Sequence, residues 1–249
     1  MMDNQMELTG KIEPFDSFWE APDDIERGYA SFAQFYRWNY LKHLTARRDA
    51  AILVISCGPG YLVDLLKREG YTNVLGIDSD PEKIAYATRR GLNCRTERAF
   101  PFLEVTTDRF DLIFCEQELN HLTKIEIKSF LLLCRDSLRD GGMLIVHSLN
   151  GANPITGAEA LAQNFDHYNS FTAYSLRQVL EHCGYQKVQV LPLHLYVFRK
   201  NPLNYVAWGA TALLHLSFRV AFILYGKSNK LWTKKIAAIA VKGTPPADR

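Results

Sequence analysis

The chain has 249 residues, enough for one domain with a sizeable core and an embellishment. With 47% hydrophobic and 22% charged residues it is globular rather than disordered, and a net charge of +2 without a long basic block points away from nucleic acid as a partner. Five cysteines, odd in number and without a C-x-x-C pair, read as reduced thiols of a cytoplasmic protein with no zinc site.

Residues 1–22 form a polar lead-in, and residues 23–249 form the domain. No basic segment followed by an apolar stretch opens the sequence, so no signal peptide is expected. From Asp23 the pattern turns helical, with Ile25, Tyr29, Phe32, Tyr36 and Tyr40 three or four apart. Such an aromatic helix either closes over a bound ligand or simply packs on a sheet.

Residues 51–78 organise the rest. Ile52-Leu53-Val54-Ile55 reads as a buried strand and is followed by the loop Ser56-Cys57-Gly58-Pro59-Gly60. A helix comes next, with Leu62, Val63, Leu65 and Leu66 on its apolar side and Gly70 past its end. Residues 73–77 form a second strand that finishes in Asp78. Glycines let a backbone approach a nucleotide where a Cβ would clash. A carboxylate at the tip of the second strand can accept two hydrogen bonds from a ribose diol. A dinucleotide motif needs a third glycine where Val63 stands. This weakens an NAD(P)-dependent oxidoreductase reading but leaves it as an alternative.

Asp80 and Pro81 start the next helix as N-cap and first residue, and Gly91 stops it. Residues 92–96 give the third strand. Residues 111–115 are apolar after Asp111 and belong mid-sheet. The loop Glu116-Gln117-Glu118-Leu119-Asn120-His121 leaves the C-terminal end of this strand, where open parallel sheets bind ligands. Thr123 and Glu126 have the spacing of a capping box. Gly141-Gly142 ends that helix, and residues 143–147 form a fifth strand with His147 at its end. An Asn- and Gly-rich loop follows, then His167 between Asp166 and Tyr168. A helix over 172–182 leads to a sixth strand over 187–196. A seventh is expected over 236–241.

The insertion 202–233 separates these two strands. Residues 203–225 are apolar nearly all round, interrupted by His215 and Arg219. Arg199 and Lys200 precede them, and Lys227, Lys230, Lys234 and Lys235 follow. Three readings stand: a helical pair packed on the domain or on a second copy in a homodimer, an in-plane membrane anchor, or a span of about 20 residues. The span would put the sixth and seventh strands on opposite sides of a bilayer, which one sheet cannot do.

The wording LVISCGPGYL and GIDSDPEKIAYA resembles motifs I and II of the class I S-adenosylmethionine-dependent methyltransferases. Phe110-Asp111-Leu112-Ile113-Phe114-Cys115, Leu119-Asn120-His121-Leu122 and Leu138-Arg139-Asp140-Gly141-Gly142 continue the resemblance in order over residues 50–198. Val54 stands where the family usually has an acidic residue, and Ser56 where it usually has the first glycine. These departures keep open a module that retains the fold without chemistry. The resemblance implies an α/β, doubly wound, mostly parallel seven-stranded sheet whose last strand is antiparallel and follows the helical insertion. It also implies S-adenosyl-L-methionine as cofactor, held by Ser56, Cys57, Gly58, Gly60, Asp78, Ser79, Glu97, Arg98, Glu116 and Gln117. His121 and His167 are the candidate general bases. NPLNYV, LYGKSNK and TKKI resemble methyltransferases of surface-polysaccharide assembly, which implies O-methylation of a saccharide or lipid-linked small molecule. The enzyme would be cytoplasmic or peripheral at the inner face of the membrane.

Overall fold

The computed structural model describes residues 22–115, 118–162, 165, 167–195 and 202–243. Helix α1 (Pro22–Asn39) buries Ile25, Tyr29, Ala33 and Tyr36, a spacing of three or four residues that keeps one face inward. Phe32 falls off this stripe, is 42% exposed, and stacks on the Tyr61 ring instead.

Strands and helices then alternate: β1 (Ile52–Ile55), α2 (Tyr61–Arg68), β2 (Val74–Asp78), α3 (Pro81–Arg89), β3 (Cys94–Thr96), α4 (Ala99–Val105), β4 (Phe110–Cys115). They continue as α5 (Glu118–His121), α6 (Lys124–Ser137), β5 (Leu138–Leu149), α7 (Gly157–Ala162), α8 (Ala173–His182), β6 (Tyr185–Leu193), α9 (Leu203–Leu224) and β7 (Lys235–Lys242). Two helix starts follow from their cap residues. The Asp80 side chain accepts from the Glu82 and Lys83 amides, and Thr123 and Glu126 form a reciprocal capping box.

The sheet order is β3-β2-β1-β4-β5-β7-β6. β1 runs parallel to β2 and β4, β2 to β3, and β4 to β5, while β7 runs antiparallel between β5 and β6. This is the doubly wound, seven-stranded Rossmann-like methyltransferase fold. Successive strand residues face opposite layers. Leu53 and Ile55 join a core with Phe100, Ile127, Phe130 and Leu180 from α4, α6 and α8. Ile52 and Val54 join a second core with Tyr29, Tyr36, Leu62 and Ile84 from α1, α2 and α3. Val54 is therefore a core residue, which explains an apolar side chain where the resembled family carries an acid.

Several expectations need correction. Residues 202–233 do not hold a helical pair; α9 is one continuous helix with no buried residue. β6 begins at Tyr185, and its register shifts between Gln186 and Gln189 around Lys187, which sits at φ 52°. Such a bulge re-aims a strand near its start. β5 does not stop at His147 but runs to Leu149, so His147 lies within the strand and is 2% exposed.

Candidate active site

All five parallel strands end at one edge of the sheet, and the functional side chains gather there. After β1 the chain turns sharply: Ser56, Gly58 and Gly60 have φ of 55°, 53° and 82°. Glycine reaches this left-handed region without strain, whereas Ser56 holds it with a Cβ. A Cβ on Gly60 would stand 2.8 Å from Leu92 Cδ1, so a substitution would have to displace the Leu92 side chain as well as strain φ. Gly60 caps α2 and accepts the Asp64 amide at 2.8 Å.

Asp78, at the tip of β2, grips this loop. Its Oδ2 accepts from the Gly58 amide at 2.8 Å and its Oδ1 from the Asp80 amide at 2.9 Å. Burial pushes the Asp78 carboxyl above its ordinary range, and these two amide bonds pull back part of the rise. A carboxylate has about four acceptor positions. Two are used here, and the remainder can take the two hydroxyls of a ribose. Ser79 is half-buried beside it, and the exposed Glu97 donates its amide to the Asp78 carbonyl at 2.9 Å. Arg98, also exposed, precedes α4. Cys57 is buried; its hydrogen bond with Cys94, together with burial, holds its thiol well above the ordinary range, so it packs as a neutral group. Loop, carboxylate and close-packed glycine thus fit an adenosyl group.

The next strand ends bring the two histidines together. His121 closes α5, which follows β4, and His167 lies in the loop that follows β5 and α7. Their ring centroids are 4.8 Å apart at 63°. Asn120 holds this arrangement. It is fully buried; its Oδ1 accepts from Ser148 Oγ at 2.7 Å, and its carbonyl accepts the Tyr168 and Asn169 amides at 2.8 and 3.2 Å. Asn169 in turn bonds the Leu122 carbonyl. Asn120 Nδ2 is buried without a hydrogen-bond partner among the described residues.

Residues 29–190 match the family model of a methyltransferase domain. The chain belongs to the class I S-adenosylmethionine-dependent methyltransferases. It is 27% identical over 146 residues to a ubiquinone biosynthesis O-methyltransferase of Xylella fastidiosa strain M23, a match covering 56% of this chain and 58% of the relative. It is 30% identical over 127 residues to the Bradyrhizobium sp. strain ORS 278 protein of the same name, covering 47% and 49%. The chain thus spans about half the length of the curated relatives it matches. A SAM-dependent methyltransferase from Archaeoglobus fulgidus superposes with a TM-score of 0.64 at 20% identity, over 86% of this chain and 94% of that one. The plantazolicin methyltransferase BpumL, solved with SAH, superposes with a TM-score of 0.57 at 16% identity, over 89% and 87%. At these identities the likeness is one of fold.

The remaining expectations on the methyltransferase divide. Glu116 and Gln117 lie outside the described residues. Val63, where a dinucleotide motif needs glycine, is buried against Gly76. No cluster of three or more His, Cys, Asp or Glu placed for a metal occurs among the described residues. Two contributors had no signal in the sequence: Asn120 as the clasp of the histidine loops, and Tyr29, whose hydroxyl reaches the glycine loop from α1. A separate cavity of about 320 Å³, lined by Val63, Lys67, Tyr71, Val74 and Asn93, lies toward the opposite end of β2 and β3, away from this edge.

Proposed function

We propose that the methyltransferase methylates a hydroxyl on a saccharide or a lipid-linked small molecule. The observation that carries this reading is the contact of His121 with His167 at the sheet edge that also holds Gly58, Gly60 and Asp78. S-adenosyl-L-methionine, when bound, supplies an activated methyl on a sulfonium. Asp78 and the glycine loop bind and orient its adenosyl part. A hydroxyl oxygen must lose its proton as it gains the methyl, so a base within hydrogen-bond reach accelerates transfer. His121 takes that proton onto an imidazole nitrogen, and His167, in contact with it, passes the proton toward solvent. Asn120 holds together the two loops that carry these rings.

The names of the Xylella and Bradyrhizobium relatives support an oxygen acceptor. The sequence resemblance around α9 supports a surface-polysaccharide setting. Five free cysteines support action in a reducing cytoplasm. The test is incubation of the protein and methyl-labelled S-adenosyl-L-methionine with cell-envelope extracts. Labelled product one CH₂ heavier than its precursor, and released as a methyl ether, is expected. Label recovered on nitrogen or carbon, or no transfer with cofactor bound, overturns the reading.

A further inference from the structure

Helix α9 is the largest feature of the molecule that the site does not explain. It has 22 residues, an 18-residue stretch of mean hydropathy 1.5, and no buried residue. Its inward seam is narrow: Asn204, Ala207, Thr211, His215, Phe218 and Phe222 are half-buried, at helical spacing. Crest and flanks are apolar and open. Val206, Leu213, Leu216, Val220 and Leu224 are 53–82% exposed, and so is Tyr205 at 60%. The helical hydroxyls do not need water, because Thr211 Oγ1 donates to the Ala207 carbonyl at 2.7 Å and Ser217 Oγ to the Leu213 carbonyl at 3.2 Å. Arg219 follows Phe218 and lies on the flank next to the seam.

The strands on either side of α9 meet at one edge of the sheet. Leu193 at the end of β6 pairs with Lys235 at the start of β7, and the parallel strands end at that same edge. The exit from α9 is pinned there. The Trp232 ring meets Phe222 at 4.4 Å, and Asn150, at the end of β5, donates its side-chain amide to the Leu231 and Thr233 carbonyls at 3.1 and 2.8 Å. A helix of about 33 Å tethered at both ends to one sheet edge cannot cross a bilayer and return within ten residues while paired in this way. It can lie in the surface of one.

Charge identifies that surface. Between Glu181 and Asp248 the sequence has nine Lys or Arg and no Asp or Glu. Lys227 and Lys230, just past α9, are exposed. A second copy of the chain would cover one side of a helix that stands open on three, leaving leucines wet. Lipid wets every side except the seam, and the protein body takes the place of the polar face that an interfacial helix normally carries. We infer that α9 lies in the plane of an anionic membrane, holds the sheet edge bearing Asp78, His121 and His167 against it, and so selects a lipid-borne acceptor. Only the acceptor half of this inference rests on the methyl-transfer reading.

The test is co-sedimentation of the full chain with phosphatidylcholine vesicles with and without phosphatidylglycerol. Wild type should pellet with the anionic vesicles. Leu213→Gln/Leu216→Gln/Val220→Gln should lower that partition at least ten-fold, and Lys227→Gln/Lys230→Gln should lower it about five-fold per lysine on anionic vesicles only. All substituted side chains are exposed, and unchanged S-adenosyl-L-methionine affinity shows that each variant is folded. Wild type left in the supernatant, or apolar-face variants that pellet like wild type, overturns the membrane seat. So does a wild-type dimer that the leucine substitutions convert to monomer without any vesicle binding. Methyl label found only in the water-soluble fraction of the envelope overturns the lipid-borne acceptor, whereas vesicle binding by a protein that fails to bind cofactor overturns methyl transfer and leaves the membrane seat standing.

Discussion

The Tyr29 hydroxyl donates to the Pro59 carbonyl at 2.6 Å, across a buried contact between α1 and the glycine loop. Burial raises the phenol pKa, so the donor keeps its proton throughout the working range. The ring is fixed by Tyr61, whose centroid is 4.8 Å away edge-on, and by the Arg90 guanidinium 3.7 Å above it. Arg90 also pairs with Glu26 at 2.8 Å, tying α3 to α1. Helix α1 thus buttresses the cofactor loop from behind by packing. Tyr29→Phe keeps the ring contacts and strands a buried carbonyl, which should cost about 1–2 kcal/mol of stability. Thermal unfolding should show that loss, and calorimetry a several-fold weaker cofactor affinity.

If His121 and His167 act as a base and its relay, either one replaced by Gln should lower kcat by about 10²-fold or more, with KM for the cofactor unchanged. The double variant should be little worse than the weaker single one, because groups that work as a unit are not additive. Asn120→Ala should mimic both, since it releases the Ser148 hydroxyl and the Leu149 amide from Asn120 Oδ1 and so loosens the clasp between the loops. Additive losses across the three variants would separate the histidines.

Stability should fall in mild acid. His147 is fully buried, and its Nδ1 lies 2.9 Å from the Tyr40 hydroxyl. Burial, then nearby Lys235, holds its pKa well below the ordinary histidine range. An unfolded histidine binds its proton near pH 6.5. Below that pH the unfolded state takes up more protons, so the stability present at neutral pH is lost as the pH falls from about 6.5 toward the folded value. Partly buried His43, His194 and His215 shift in the same direction. His147→Gln should unfold at a lower temperature near neutrality and show a flatter dependence between roughly pH 7 and pH 5.

Ser56 occupies a conformation that costs an L-residue roughly 1–2 kcal/mol. Ser56→Gly should therefore raise stability by up to about 1 kcal/mol, after the entropy of the freer unfolded chain is subtracted, with cofactor affinity retained. Urea titration measures the first and calorimetry the second.

What the sequence displays and what it hides follow a physical line. The unbroken apolar run of β1, the glycine loop, Asp78 at a strand end, and the caps Asp80, Thr123 and Glu126 act over a few residues, so their signals are local and readable. The partnership of Tyr29 with Pro59 and the clasp of Asn120 on Ser148 join distant segments and leave no periodic trace. His147 reads as a strand end because a polar residue interrupts the apolar run; in the fold, Tyr40 supplies its partner and the strand continues. α9 suggests a break because His215 and Arg219 interrupt its apolar run, and Gly209 also lies within the helix. One glycine costs a helix only about 1 kcal/mol, and 22 residues of continuous hydrogen bonding outweigh it.

The pocket itself is tested by Asp78→Asn. The substitution keeps the side-chain shape and one amide acceptor but sets an NH₂ group against the other amide donor, a loss of about 1–2 kcal/mol that relief of the buried charge partly offsets. It also removes the carboxylate that would hold a ribose diol by two charge-assisted bonds of about 1.5–3 kcal/mol each. Titration calorimetry with S-adenosyl-L-methionine should therefore show Kd raised ten-fold or more at a temperature where thermal unfolding shows the variant to be folded. An unchanged Kd in the folded variant would contradict the assignment of Asp78 and the glycine loop as the methyl-donor site.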